Sequence, residues 1–301
     1  MATLFGFNLI RFVERQRTRK WDRSEIHYKR FSNEQGDHSV YARIKGKPKL
    51  VLIHGFGASA LLQWYDVARI LKNDYDIIAL DLLCSGSSTV ANGDYSVKAQ
   101  VEHIRFTLDQ LGIEEEVILC GNSYGGLVSA HFANTYPDRI KHFILYDAPA
   151  KFYSINYADG IAKDLGLDGL DNLLMPQGPE EMKASLKVIY HEVPYLPDFL
   201  LNASFEEPLM EQRKEQKKLL DELIQNEQFY QEIHYRLPMR ISIIWGEYDR
   251  LIPMSTATQL KALLGVPDDR FVIIPNAAHA ANMEMPKEFC KVLHALITKN
   301  P

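Results

Sequence analysis

A chain of 301 residues holds one large catalytic domain, or a core domain carrying an insertion. With 46% apolar and 24% charged residues it reads as a water-soluble globular protein, and a net charge of −5 argues against a nucleic-acid partner, which calls for a basic excess. Cys84, Cys120 and Cys290 show no paired spacing, which argues against a disulfide framework and for a reducing, cytoplasmic setting; the scattered histidines offer no metal-ligand spacing, so neither metal nor cofactor is expected.

Residues 1–25 form a basic amphipathic segment, with an apolar patch from Phe5 to Ile10 and a basic stretch from Arg11 to Lys20. The patch is shorter than a secretory core of roughly 7–15 residues, and its basic residues follow instead of preceding it. A spanning helix needs about 20 apolar residues, and nothing in the chain approaches that. Leu9, Ile10, Phe12 and Val13 mark one stripe of a helix that lies on the domain's own surface or a partner subunit, with a membrane surface as the alternative.

Ile26–Phe31 and Ser39–Lys45 alternate in polarity and predict a hairpin joined by Ser32–His38. Short apolar runs follow at Leu50–Ile53, Ile77–Leu80, Val117–Leu119, Phe143–Leu145, Ile241–Trp245 and Phe271–Ile274, each suited to a strand buried on both faces. Helical patterns such as Val97–Leu111 and Thr256–Leu264 fill most of the gaps, and the rhythm predicts a mostly parallel sheet covered by helices. Between Leu145 and Ile241 no strand pattern appears. Amphipathic stretches at Glu180–Tyr190 and Glu206–Phe229 predict a helical insertion there, above the strand ends, where it would act as a lid.

Gly121-Asn122-Ser123-Tyr124-Gly125 fits G-x-S-x-G, directly after the strand at Val117 and before a helical pattern from Leu127 to Tyr136. A serine at such a turn adopts a strained conformation, and the flanking glycines keep neighbouring side chains away. Its hydroxyl is a weak nucleophile that needs a base, and His279, after the strand Phe271–Ile274, is the candidate. A carboxylate must orient that imidazole; Asp249, after the strand Ile241–Trp245, fits, with Asp147 and Glu247 as rivals. Each follows a strand end, where open α/β sheets place their sites. For the oxyanion, the backbone N–H of Tyr124 and that of Phe56 in His54-Gly55-Phe56-Gly57 are the expected donors, with Gly57 letting the loop bend and His54 as a structural hydrogen-bonder.

These stretches, with LDLLCSGSS at Leu80–Ser88, YPDRI at Tyr136–Ile140, WGEYDRLIP at Trp245–Pro253 and NAAHAANMEMPKEF at Asn276–Phe289, resemble the lid-bearing esterase- and lipase-like serine hydrolases of the α/β-hydrolase superfamily. The resemblance spans about residue 26 to the C-terminus, apart from the insertion. It implies an α/β-hydrolase fold with an eight-stranded, mostly parallel sheet, a core of residues 26–149 and 238–301, a cap of residues 150–237 and no cofactor. It also assigns Ser123, Asp249 and His279 to the triad positions. The implied activity is cleavage of carboxylic esters with an apolar acyl or alcohol group. Two departures matter. Leu83 and Cys84 stand where relatives carry proline and glycine, and Ala280 stands where carbon–carbon-bond hydrolases of ring-cleavage products carry tryptophan. That activity ranks second, followed by a ligand-binding or receptor module with little turnover.

Overall fold

A computed structural model describes residues 9–151, 154–203, 205 and 209–299. Its centre is an eight-stranded sheet: β1 (His27–Asn33), β2 (Gly36–Arg43), β3 (Lys49–Ile53), β4 (Asp76–Leu80), β5 (Val117–Asn122), β6 (Ile140–Tyr146), β7 (Arg240–Gly246) and β8 (Phe271–Ile274). The strand order is β1-β2-β4-β3-β5-β6-β7-β8, antiparallel at β1–β2 and β2–β4 and parallel elsewhere. The order reverses at β3, so the loops after β3 and β5 lie side by side, with Ile53 opposite Gly121.

The central strands are apolar throughout because both faces are covered. Along β3, Leu50 and Leu52 join one core with Trp64 and Phe289, while Val51 and Ile53 join the other with Val128 and Phe132. The first face is covered by α1 (Leu9–Asp22), α2 (Ala60–Gln63) and α3 (Tyr65–Leu71), the second by α4 (Val97–Gln110) and α5 (Tyr124–Thr135). Caps set several starts: the Ser96 hydroxyl accepts from Ala99 N–H at the head of α4, and the Ser59 hydroxyl from Leu62 N–H at α2.

Between β6 and β7 the described residues form six helices and no strand: α6 (Ile155–Asp164), α7 (Leu170–Leu174), α8 (Pro179–Ile189), α9 (Asp198–Ala203), α10 (Leu209–Gln225) and α11 (Glu227–Glu232). The chain then closes with α12 (Met254–Leu264), α13 (Ala281–Glu284) and α14 (Pro286–Thr298). The single long segment expected at Glu206–Phe229 is split at Asn226, where φ −108° and ψ 17° leave the helical basin and α11 starts.

The hairpin differs from expectation. The strands run on to a two-residue turn, Glu34-Gln35, because the Asn33 carboxamide oxygen accepts from the N–H groups of Gln35 and Gly36. Gly36, at φ 148°, lies so close to the 85–91 loop that a Cβ there would sit 2.1 Å from the Thr89 carbonyl oxygen. All three cysteines are free and buried. No helix among the described residues is long and apolar enough to cross a membrane. The apolar patch from Phe5 falls largely outside the described residues, as do the side chains of Leu9, Ile10 and Phe12; Val13 is 42% exposed.

Candidate active site

Ser123 occupies the turn between β5 and α5 with φ 52° and ψ −125°, a conformation that a side chain ordinarily avoids. The neighbouring strand over-determines it: Ser123 N–H donates to the carbonyls of Tyr146 and Asp147, both at 3.1 Å. The hydroxyl caps nothing in α5 and forms no hydrogen bond among the described residues. The flanking glycines are steric requirements. A Cβ on Gly121 would lie 2.5 Å from the Gly125 carbonyl oxygen, and one on Gly125 would lie 2.2 Å from that of His54. Gly126, which the motif alone does not single out, meets Ala148 in the same way at 2.2 Å.

The loop after β3 presses against this turn. A Cβ on Gly55 would stand 3.1 Å from the Cβ of Ser123, and Gly57 takes φ 72° to bend the loop. His54 is fully enclosed, its Nδ1 against the Gly55 carbonyl oxygen at 2.8 Å while its Nε2 accepts Leu82 N–H at 2.9 Å. Burial pulls the imidazole down to about 4, so His54 is a neutral tie between two loops. The backbone N–H groups of Phe56 and Tyr124 find no hydrogen-bond partner among the described residues, and both residues line the cleft that Ser123 faces. Two free donors thus border one hydroxyl.

A chain of amides fixes these loops to each other. Gly55 N–H donates to the Gln63 carboxamide, Gln63 Nε2 to Asn122 Oδ1 at 2.6 Å, and Asn282 Nδ2 to the Gln63 carbonyl at 2.8 Å. Sequence reasoning missed Gln63 and Asn282. Isolated amides carry no pattern, and these two are brought together only by the fold.

His279 follows β8, and its Nδ1 lies 2.8 Å from Asp249 Oδ2, both side chains being buried. The other Asp249 oxygen accepts from Leu251 and Ile252 N–H, each at 2.9 Å, so three N–H donors converge on this carboxylate. Tyr146, whose carbonyl holds the Ser123 backbone, donates its hydroxyl to the His279 carbonyl at 3.2 Å. The structure therefore joins Asp249 to His279, and links Ser123 to His279 through Tyr146. It leaves the hydrogen bond between the Ser123 hydroxyl and the imidazole unmade.

The rival carboxylates are elsewhere engaged. Glu247 is exposed and accepts from Asn276 N–H at 3.0 Å. Asp147 lies deep beside the pair: its Oδ1 accepts from Gly246 N–H at 2.8 Å, its buried Oδ2 has no hydrogen-bond partner among the described residues, and the groups of Asp147, Asp249 and His279 fall within 4.8 Å of one another. Burial first, and the Asp249 charge second, push the Asp147 carboxyl well above the usual carboxylate range, which favours its protonated form.

The loop after β4 adapts to its unusual residues. Cys84 takes φ 66°, the left-handed region that a glycine would enter freely, and the loop is bound at Leu83 by Gln100 from α4. From α10, Gln216 donates to the Cys84 carbonyl at 3.2 Å and Gln212 to that of Gly86 at 3.1 Å.

Above Ser123 lies a cleft with about 820 Å³ of empty space, part of it open to solvent. Phe56, Leu127, Leu251 and Ile252 line it from the core; Ile155, Leu170, Leu174, Leu220, Leu223 and Ile224 line it from the insertion. Among the described lining residues the one charged group is Glu227, and it accepts Ile155 N–H at 2.8 Å.

The profile of the alpha/beta hydrolase fold family matches residues 48–286. The chain belongs to this family. It is 28% identical over 271 residues to Lipase 1 of Psychrobacter immobilis, covering 87% of this chain and 81% of that protein. It is 24% identical over 285 residues to 2-hydroxy-6-oxo-6-(2'-aminophenyl)hexa-2,4-dienoic acid hydrolase of Metapseudomonas resinovorans, covering 92% and 94% respectively. Its fold matches that of 2-hydroxy-6-oxo-6-phenylhexa-2,4-dienoate hydrolase from Rhodococcus sp. strain RHA1 with a TM-score of 0.77, at 20% identity over 91% of this chain and 99% of that one. This α/β-hydrolase is thus related both to enzymes named for ester cleavage and to enzymes named for dienoate cleavage.

Proposed function

We propose that this α/β-hydrolase cleaves carboxylic esters through an acyl-enzyme on Ser123, with an apolar acyl or alcohol group in the cleft. The observation that carries the choice of ester is the lining of that cleft. A dienoate brings a carboxylate, and burying one without a cation is costly. The described lining offers no Lys, Arg or His, and its one charge is negative. An alkyl chain is what such walls accept.

In this reading His279 closes on Ser123 when substrate enters, as catalytic hydrogen bonds often tighten only in the complex. Ser123 Oγ attacks the ester carbonyl while His279 Nε2 takes its proton, and Asp249 holds the tautomer and stabilises the imidazolium. The N–H groups of Phe56 and Tyr124 receive the oxyanion, each donor being worth about 10²–10³ in turnover. The tetrahedral species collapses, the proton passes to the leaving alcohol, and a water deprotonated by His279 releases the acid. The insertion, residues 150–237, serves as the cap over a core of residues 26–149 and 238–301.

The test is a panel of 4-nitrophenyl esters of increasing acyl length, alongside a dienoate ring-cleavage product, on wild type and Ser123→Ala. Ester cleavage in wild type that falls about a millionfold in the variant is the expected result. Dienoate cleavage with esters untouched would overturn the choice of bond. Inertness to both, and to a fluorophosphonate, would make the chain a binding module.

A further inference from the structure

The loop that carries His279 is held from two sides. On the core side, Tyr248 N–H donates to the Ala277 carbonyl at 2.9 Å and the Tyr146 hydroxyl to the His279 carbonyl at 3.2 Å. The two amides that bracket the histidine are held differently. Ala280 N–H donates to the carbonyl of Ile189, the last residue of α8, at 3.0 Å. Ala278 N–H donates to Glu284 Oε2 at 2.8 Å, while Glu284 Oε1 accepts from His191 N–H at 2.6 Å and from Glu192 N–H at 3.2 Å. One carboxylate at the end of α13 therefore spans from the residue before His279 to the turn after α8.

Glu284 repeats on the backbone what Asp249 does for the ring. Each carboxylate gathers three N–H donors, and hydrogen bonds to a carboxylate are among the stronger ones. The same turn of the insertion also reaches the loop of the acid: the His191 ring stacks on that of Tyr248, next to Asp249, with centroids 4.2 Å apart and planes 12° from parallel. Neither Glu284 nor any residue from Ile189 to Glu192 lines the cleft above Ser123. These groups can thus bear on the reaction only through the loops they hold. In the ester reading His279 must close on Ser123, and the amides on both sides of it are tied to the insertion.

We propose that Glu284 is a positioning residue for His279, a role that rests on the ester reading. Its carboxylate clamps the histidine loop to the turn after α8, so the insertion sets the place of the general base as well as covering the cleft. Loss of the clamp leaves the substrate walls intact and lets the imidazole wander from the line between Asp249 and Ser123, where a displacement of about 1 Å can cost 10²-fold.

The experiment compares Glu284→Ala, Glu284→Gln and His191→Ala with wild type in two measurements. On a short-chain 4-nitrophenyl ester, Glu284→Ala should lower kcat about 10- to 100-fold with KM within about twofold of wild type. Glu284→Gln keeps one of the two acceptor oxygens and should recover part of the loss; His191→Ala, an exposed change that removes only the stack on Tyr248, should lose least. Long-range 1H–15N spectra of the histidine rings, with His279 assigned by its loss in His279→Gln, read the imidazole without turnover. Wild type should hold the Nδ1–H tautomer that Asp249 accepts, and Glu284→Ala should mix the two tautomers. An unchanged kcat, an unchanged ring spectrum, or a raised KM with kcat kept, in a variant folded by circular dichroism, would each overturn the assignment. Should Glu284→Ala fail to fold, the other two variants decide by the same readouts. A wild type inert to esters whose ring spectrum still responds to Glu284→Ala would end the ester reading and leave the clamp; ester cleavage with an indifferent ring would end the clamp alone.

Discussion

The two walls of the cleft are held by different kinds of interaction. On the core side, backbone atoms set the distances: Ser123 N–H is shared between two carbonyls, Asp249 takes three N–H donors, and the loops at Gly121 and Gly125 approach too closely for any side chain. On the insertion side, apolar side chains face the cleft, and isolated bonds hold the helices down, such as those from Gln212 and Gln216 to the β4 loop and from Ala280 N–H to the Ile189 carbonyl. The core wall therefore has little tolerance for change. The insertion wall can be reshaped without disturbing the proposed chemistry.

The largest expected effect separates the two buried carboxylates of the core wall. Asp249→Asn should lower kcat for ester hydrolysis about 10⁴-fold, because the amide favours the wrong imidazole tautomer while still accepting from Leu251 and Ile252 N–H. Asp147→Asn should stay within about tenfold of wild type, because its amide oxygen still accepts from Gly246 N–H and it does not bond the imidazole. Equal losses from the two would mean that they share the charge. Steady-state kinetics on a short-chain ester reads both.

Next comes the contrast in steric tolerance. Gly125→Ala sets a Cβ 2.2 Å from the His54 carbonyl oxygen, and should cost about 3 kcal/mol or more in urea unfolding. Gly160, inside α6 of the insertion, has nothing within 4 Å of the same added atom, so Gly160→Ala should stabilise by about 0.5–1 kcal/mol through helix propensity. A smaller effect is expected on selectivity. Leu223→Phe fills the cleft from the insertion side and should cut kcat/KM for long acyl chains about 10- to 100-fold relative to short ones. A uniform loss across chain lengths would place Leu223 away from the acyl group.

The same division explains what the sequence made legible. The strands were readable because a parallel sheet covered on both faces needs continuous apolar runs, and the proposed site residues Ser123, Asp249 and His279 all lie just past their ends. The insertion was readable as helical from its amphipathic spacing, yet the break at Asn226 and the short helices α6, α7 and α9 depend on tertiary contacts. The least legible feature was the polar net. Gln63 and Asn122 are 59 residues apart, and Gln63 and Asn282 are 219 apart; nothing local distinguishes any of the three amides from a surface residue. The departure at Cys84 was visible, but its resolution needed coordinates: a non-glycine residue enters the left-handed region because Gln100 and Gln216 bind the backbone around it.

Asp147 also gives the core wall a pH signature that the insertion wall lacks. Its folded-state acidity is weakened by burial and by the Asp249 charge, so the folded protein retains a proton that the unfolded chain loses at about pH 4. Stability is then highest below that point and declines as pH rises toward the folded-state value, because unfolding releases the proton. Asp147→Asn has no proton to release, while its amide can still accept from Gly246 N–H and has two N–H groups for the neighbourhood where Oδ2 now lacks a partner. The variant should therefore show a shallower decline in Tm than wild type as pH rises above about 4. Parallel curves would mean that Asp147 is ionised in the folded protein, and the neutral acid beside the histidine–aspartate pair would have to be abandoned.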